Sequence, residues 1–320
     1  MRGAPGVEQR CELLADLRCV WVGVPDLAAA EDILGPTLGY ELRAGSAELP
    51  PFAGPPGSAG ARWTQYTAPG ERLGTVCLFA GPPRPPLAGL PRGWDCVEAV
   101  VADVDAAADA LGATPGVTVV RAPFTSDLSE FGSNVHRSGV WRMPWGTHLI
   151  LTAGLTEAAG REFPRTRSRT GRVFEVHLRT DRFRSARRLY ADLLGMPSLI
   201  EVEQHAGPMH DAWSLPEAHP IRMSFLKTGG VGTGGGAIEL QGHPTSALHP
   251  PVGLRQTTPG GTAMVTCSTR DLDAVCRALT PTLGTGLAGP VTPEGGPYAG
   301  RAAVLVTGAE GETLQVVELR

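Results

Sequence analysis

The chain repeats one pattern, and that repeat restricts its fold more than any other feature of the 320 residues. "CVWVGVPDLAAAEDILGPTLGY", starting at Cys19, aligns without gaps on "EVHLRTDRFRSARRLYADLLGM", starting at Glu175. Each reads as a strand running into a helix with apolar residues at helical spacing, and each ends on Leu-Gly. Gly39 and Gly195 stand where a helix C-cap wants a positive φ. Two shorter relatives start at Cys96 ("CVEAVVADVDAAADAL") and Met264 ("MVTCSTRDLDAVCRAL"). Strand-like segments follow each helix, among them "SLIEVEQ", "IRMSFLK" and "GAIELQGH" in the third copy and "RAAVLVTGAEGETLQVVEL" in the fourth. Each copy therefore reads β-α-β-β-β, and a repeat of this length marks a structural unit that buries its apolar face against its neighbours.

Pro/Gly-rich stretches join the copies in pairs: "GPPRPPLAGLPRGW" in the first half and "GHPTSALHPPVGLRQTTPGG" in the second. The polar, basic "EFPRTRSRTGR" separates the halves. The expected organisation is a domain over 1–160, a linker over 161–171 and a second domain over 172–320. A formal net charge of −4 with no basic stripe argues against nucleic acid as a partner. No run has the length of a membrane span, and no signal-peptide core stands at the N-terminus, so a cytoplasmic protein is expected. The six cysteines form no CxxC pair, which fits reduced thiols.

Paired βαβββ units with "LGY" or "LGM" after the helix, closing on "PWGTHLIL" or "GETLQVVEL", resemble the vicinal oxygen chelate superfamily. That group includes glyoxalases, bleomycin-resistance proteins, extradiol dioxygenases and methylmalonyl-CoA epimerases. The resemblance covers nearly the whole chain. It implies an α+β fold in which four units form two paired-module domains, with curved mixed sheets around cavities. Four units can close both pairs within one chain, so a monomer is as compatible with the sequence as a homodimer.

The resemblance places metal ligands at the start of the first strand and in the last strand of each unit. In the first half these positions fall on Cys19, Leu78, Cys96 and Ile150, where no carboxylate or imidazole survives. With Cys77 beside one of them, a three-thiolate site is the only metal chemistry they offer, and the bland reading of buried cysteine as a small hydrophobe is preferred. In the second half they fall on Glu175, Glu239, Met264 and Gln315. Glu175, His177 and Arg179 alternate along one strand and share a face. The expected site is therefore Glu175, His177, Glu239 and Gln315, with Arg179, His205, His210, Gln241 and Thr266 as substrate contacts. Glu175, Glu239 and Gln315, with His177 as a further donor, would hold a divalent ion (Mn, Mg, Fe, Zn or Ni). A pocket without metal is equally compatible. There the two carboxylates would repel, raising one pKa and making an acid/base group.

His148 and Trp141 read as lining a first cavity or as packing, and Trp145 as packing. "TGGVGTGGG", Thr228 to Gly236, reads as a long hairpin turn rather than a phosphate loop, since no helix follows it. The implied activity is isomerase or lyase chemistry on a small organic molecule: epimerisation, cyclisation or elimination beside a carbonyl. The alternative is a small-molecule- or drug-binding resistance protein without metal. A third reading, an Fe(II) dioxygenase, needs His177 and one of His205, His210 or His243 to converge with Glu239.

Overall fold

A computed structural model describes residues 12–82, 90–131, 134–157, 163–216, 218–229, 236–249, 260–283 and 286–319. The first unit contains β1 (Asp16–Val24), α1 (Leu27–Asp32), β2 (Glu41–Ser46), β3 (Trp63–Thr67) and β4 (Thr75–Ala80). The second contains β5 (Gly93–Val101), α2 (Val104–Gly112), β6 (Thr118–Asp127), β7 (Val135–Arg142) and β8 (His148–Gly154). The third contains β9 (Thr170–Thr180), α3 (Phe183–Arg187), β10 (Ser198–Gln204), a short α4 (Pro208–Ala212), β11 (Ile221–Thr228) and β12 (Gly236–Gly242). The fourth contains β13 (Gly261–Thr269), α5 (Leu272–Leu283), β14 (Leu287–Val291), β15 (Ala303–Thr307) and β16 (Thr313–Glu318). The βαβββ reading holds in all four. Both α1 and α3 run on into a π-helical turn and stop where Gly39 (φ 80°) and Gly195 (φ 74°) take the left-handed conformation. Residues 230–235, the middle of the Gly-rich stretch, lie outside the described residues.

The strands form two mixed eight-stranded sheets, ordered β14-β15-β16-β13-β1-β4-β3-β2 and β10-β11-β12-β9-β5-β8-β7-β6. Inside every unit the first strand pairs parallel with the last. The seams between units are antiparallel, β1 with β13 and β5 with β9. The first sheet thus joins units one and four, and the second joins units two and three. This corrects the expectation that 1–160 and 172–320 each close their own pair. All four first strands carry the same apolar alternation, so the repeat says how a seam forms but not which copies form it.

One face of each sheet packs on the helices and on the other sheet. Val20, Val22, Val97, Val176, Leu178, Ile238, Leu240 and Val265 belong to this shared core, with Leu111, Leu189 and Leu279 from the helices. The alternate residues of the same strands point to the inner face of their own sheet, and those faces differ. Among the described residues no helix is long and apolar enough to cross a membrane.

Candidate active site

The inner face of the second sheet bounds a cavity of about 190 Å³. Its wall is largely apolar, with Phe124, Phe163, Phe174, Phe225, Met209 and Met223 prominent, and its polar end holds Glu98, Glu175, His177 and Glu239. Register explains the convergence. Glu98 of β5 faces Glu175 across the seam, and Glu239 of β12 lies beside His177 of β9. His177 Nε2 sits 3.2 Å from Glu98, 3.5 Å from Glu175 and 3.7 Å from Glu239. Its Nδ1 lies 3.1 Å from the amide nitrogen of Gln241, which also donates to Glu239 Oε1 at 2.7 Å. Thr152 donates to Glu98, and Ser138 lies 2.8 Å from Thr152. All of these side chains except the Gln241 and Thr152 groups border the cavity directly.

Burying several ionisable groups together moves their protonation in opposite directions. Burial pushes Glu175 up, the negative charges of Glu98 and Glu239 add to it, and the hydrogen bond to His177 only partly offsets them, leaving its pKa at about 8. Glu98 is just as buried, yet its hydrogen bonds from His177 and Thr152 outweigh burial and hold it below the usual carboxylate range. For His177, burial pushes downward, but Glu239 and the Cys96 and Glu175 contacts push harder and raise it well up. One carboxyl therefore keeps its proton at neutral pH beside another that has lost its own. His136, a further cavity residue, is pushed down by burial and keeps a neutral ring.

No family model and no curated protein matches the chain. Solved structures do. Glyoxalase I from Zea mays superposes with a TM-score of 0.60 at 16% identity, covering 95% of this chain and 92% of that one. A candidate dioxygenase from Bacillus subtilis superposes with a TM-score of 0.62 at 13% identity, covering 96% and 86%. The chain has the vicinal oxygen chelate fold. At these identities the likeness concerns architecture, and the chemistry has to come from the side chains.

Around the second sheet the positions where the sequence resemblance expects metal ligands are occupied by Cys96, Ile150, Glu175 and Glu239. Ile150 offers no donor atom, and Cys96 Sγ accepts from the Arg179 guanidinium at 3.2 Å. Glu98, Glu175 and His177 do bring three donor atoms within 4.8 Å of one another, as do Asp95, Cys96 and His148. In the first group, however, His177 Nδ1 faces an N–H of Gln241 rather than an acceptor, opposite to what a metal-bound imidazole requires. In the second, Asp95 is already paired with Arg179 and with His148 Nδ1 at 2.7 Å. The Glu98–Glu175–His177 group thus offers three donor atoms to a divalent ion, while the Gln241 N–H stands where a metal-bound imidazole usually finds an acceptor.

The structure separates several residues expected to act together. Gln315 and Thr266 lie in the first sheet, where Thr266 donates to Gln315 at 2.9 Å and Gln315 donates to the Phe52 carbonyl at 3.3 Å. They cannot join Glu175 and Glu239, because unit four pairs with unit one. Met264 goes with them. The three-thiolate site fails for the same reason, since Cys96 is in the other sheet from Cys19 and Cys77. In the first sheet the inward residue of β4 is Cys77, not Leu78, which belongs to the shared core; a slip of one residue reverses the face.

Other expectations divide similarly. Arg179 does not line the cavity; it is buried, ion-paired with Asp95, and lies 3.9 Å above the Trp213 ring. His205 is exposed beside Glu203, and His210 bonds the His219 carbonyl. His243 is buried with neither ring nitrogen hydrogen-bonded, and burial with nearby Arg179 and His210 pushes its pKa to about 3. None of the three borders the cavity, so the dioxygenase ligand set does not assemble. His148 packs edge-on against Trp213 at 5.0 Å, and Trp141 and Trp145 are buried in the shared core. Glu98 was not anticipated. Its signal was available: it stands two residues after Cys96, as His177 stands two after Glu175.

Proposed function

We propose that the second-sheet cavity is an active site for proton transfer on a small, largely apolar molecule bearing a carbonyl. The observation that carries this is the convergence of Glu98, Glu175 and Glu239 within 3.7 Å of one imidazole nitrogen at the end of an apolar cavity. Glu98, held ionised, or Glu239 takes a proton from the carbon next to the carbonyl. Glu175, which keeps its proton to about pH 8, donates to the developing enolate oxygen. Return of the proton to the same carbon gives epimerisation, and return to another position gives isomerisation. No oxidant or second substrate is consumed. His177 sits between the carboxylates and spreads the developing charge.

The test is proton exchange. The protein is incubated in D₂O with a panel of small carbonyl carbon acids (2-oxo acids, β-keto acids, branched acyl thioesters), and loss of the C–H signal is followed by proton NMR. Exchange that falls by about 10²–10⁴ in Glu175→Gln and Glu98→Gln supports the assignment. A panel member that binds at micromolar concentration but exchanges no proton overturns it. That outcome would favour the second reading, a binding protein, which draws its support from the aromatic and Met wall of the cavity.

A further inference from the structure

The geometry points to Gln241 as a positioning residue that fixes the proton of His177 on Nε2, turning a place where this fold keeps metal ligands into a proton donor. The chain of constraint starts at Arg179. Its guanidinium can only donate, so the Gln241 atom 3.2 Å from Arg179 Nε is the amide oxygen. Arg179 is held in turn by Asp95, by Cys96 Sγ at 3.2 Å and by the face of Trp213. The other Gln241 atom is therefore nitrogen, which agrees with its 2.7 Å contact to a Glu239 oxygen. Its second N–H points at His177 Nδ1, 3.1 Å away. Nδ1 must accept, so the ring proton is on Nε2, aimed at Glu98, Glu175 and Glu239.

Two consequences follow. A metal ion at Nε2 would displace that proton and leave an imidazole with no N–H at all, unless Gln241 turned over and gave up both Arg179 and Glu239. A second ring proton, which the surrounding carboxylates favour, would have to occupy Nδ1 against the same donor. Gln241 thus holds the Nε2 proton toward the acids and opposes the second ring proton that the carboxylates favour. This deepens the acid/base reading and rests on it for its role in turnover, but the tautomer can be measured with no substrate present.

The experiment is a long-range proton–nitrogen correlation spectrum of the histidine-labelled protein, wild type and Gln241→Glu, followed by zinc titration of both. In the wild type the His177 Nε2 resonance is expected as protonated and Nδ1 as an acceptor. In Gln241→Glu the new carboxylate accepts from Nδ1–H, so the tautomer reverses and zinc binds at least about tenfold more tightly. A proton on Nδ1 of the wild type, in a neutral or charged ring, would overturn the inference, as would equal zinc affinity in the two proteins. The wild-type spectrum decides even if the variant does not fold. If it shows Nε2–H while no carbon acid exchanges, the acid/base function fails and the tautomer assignment stands.

Discussion

The two sheets carry the same geometry at their seams and different residues on it. Trp21, Glu98, His177 and Thr266 occupy equivalent positions, each two residues after the start of its repeat. In the first sheet Trp21 Nε1 donates to Thr266 Oγ1 across the seam at 3.2 Å. In the second His177 Nε2 meets Glu98 across the seam at the same 3.2 Å. What surrounds these pairs then decides their use. In the first sheet Leu49 and Ala53, from the β2–β3 connection, and Tyr298, from the β14–β15 connection, join Trp21, Trp63, Phe79 and Met264 in one apolar cluster. The two connections touch each other: a Cβ on Gly295 would meet Pro50, and one on Gly296 would meet Ala53. Around Trp21 the first sheet's inner face is plugged by its own loops, and the space left beside it, about 240 Å³, is a polar cavity bordered by Arg18, Gln65, Thr75 and Tyr298. The second keeps a cavity with an ionisable end. One duplicated scaffold thus yields a half whose seam is packed with apolar side chains and a half whose seam opens onto an ionisable cavity.

The largest effect expected from this contrast is on activity. Glu98→Gln and Glu175→Gln should each lower proton exchange by about 10²–10⁴. Thermal unfolding should stay near that of the wild type in Glu175→Gln, whose carboxyl already holds its proton, and fall in Glu98→Gln, which removes the ionised partner of His177. Trp21→Ala, at the matching position of the plugged sheet, should do the reverse. It opens a void among Leu49, Trp63 and Phe79 and should cost about 3–5 kcal/mol in urea unfolding, with the exchange rate per folded molecule unchanged. If Trp21→Ala abolished exchange while leaving stability alone, the division of labour between the sheets would be wrong.

A subtler difference appears in the pH dependence of stability. Folded Glu175 keeps its proton to about 8, whereas an unfolded glutamate releases it near ~4.3. The folded state binds the extra proton over that interval, so stability falls as pH rises through it. Glu175→Gln should remove this share of the decline, read as melting temperature against pH. Glu312, buried and hydrogen-bonded by Tyr190, is pushed to about 7 by the same cause and accounts for part of the slope that remains. A profile unchanged in Glu175→Gln would mean that its carboxyl is ionised in the folded protein.

The repeat made the fold legible, since the gapless match of Cys19–Tyr40 with Glu175–Met196 already implies strand, helix and capping glycine. Alternation along one strand, a local property, also put Glu175 and His177 on one face, and the resemblance added Glu239. What it could not convey was long-range choice. Any two of four similar first strands can form a seam, and only tertiary packing selects β1 with β13 and β5 with β9. Gln315 therefore lies in the other sheet from Glu175, and Glu98 belongs to a half whose expected ligand positions carry no carboxylate. Asp95, Arg179 and Trp213 form their buried cluster from three distant segments, a juxtaposition that no spacing in the chain announces.

The smallest expected effect tests whether the sheets differ only on their inner faces. The seventh residue after each repeat start stands just before the following helix: Asp26, Asp103, Arg182 and Asp271. Asp26 accepts from the Ala29 amide at 3.0 Å in the first sheet's unit, and Asp103 from the Asp105 amide at 2.9 Å in the second's. Both are exposed and both have extended backbone, as N-caps require. Asp26→Ala and Asp103→Ala should therefore each cost about 1 kcal/mol in urea unfolding and leave proton exchange intact. Arg182 makes no capping bond, so Arg182→Ala should not show the cap's loss. Equal costs at Asp26 and Asp103 would place the divergence of the two halves inside the sheets. A cap in one half costing several times the other would mean that the plug stiffens its whole unit, and that the open sheet owes part of its cavity to a looser scaffold.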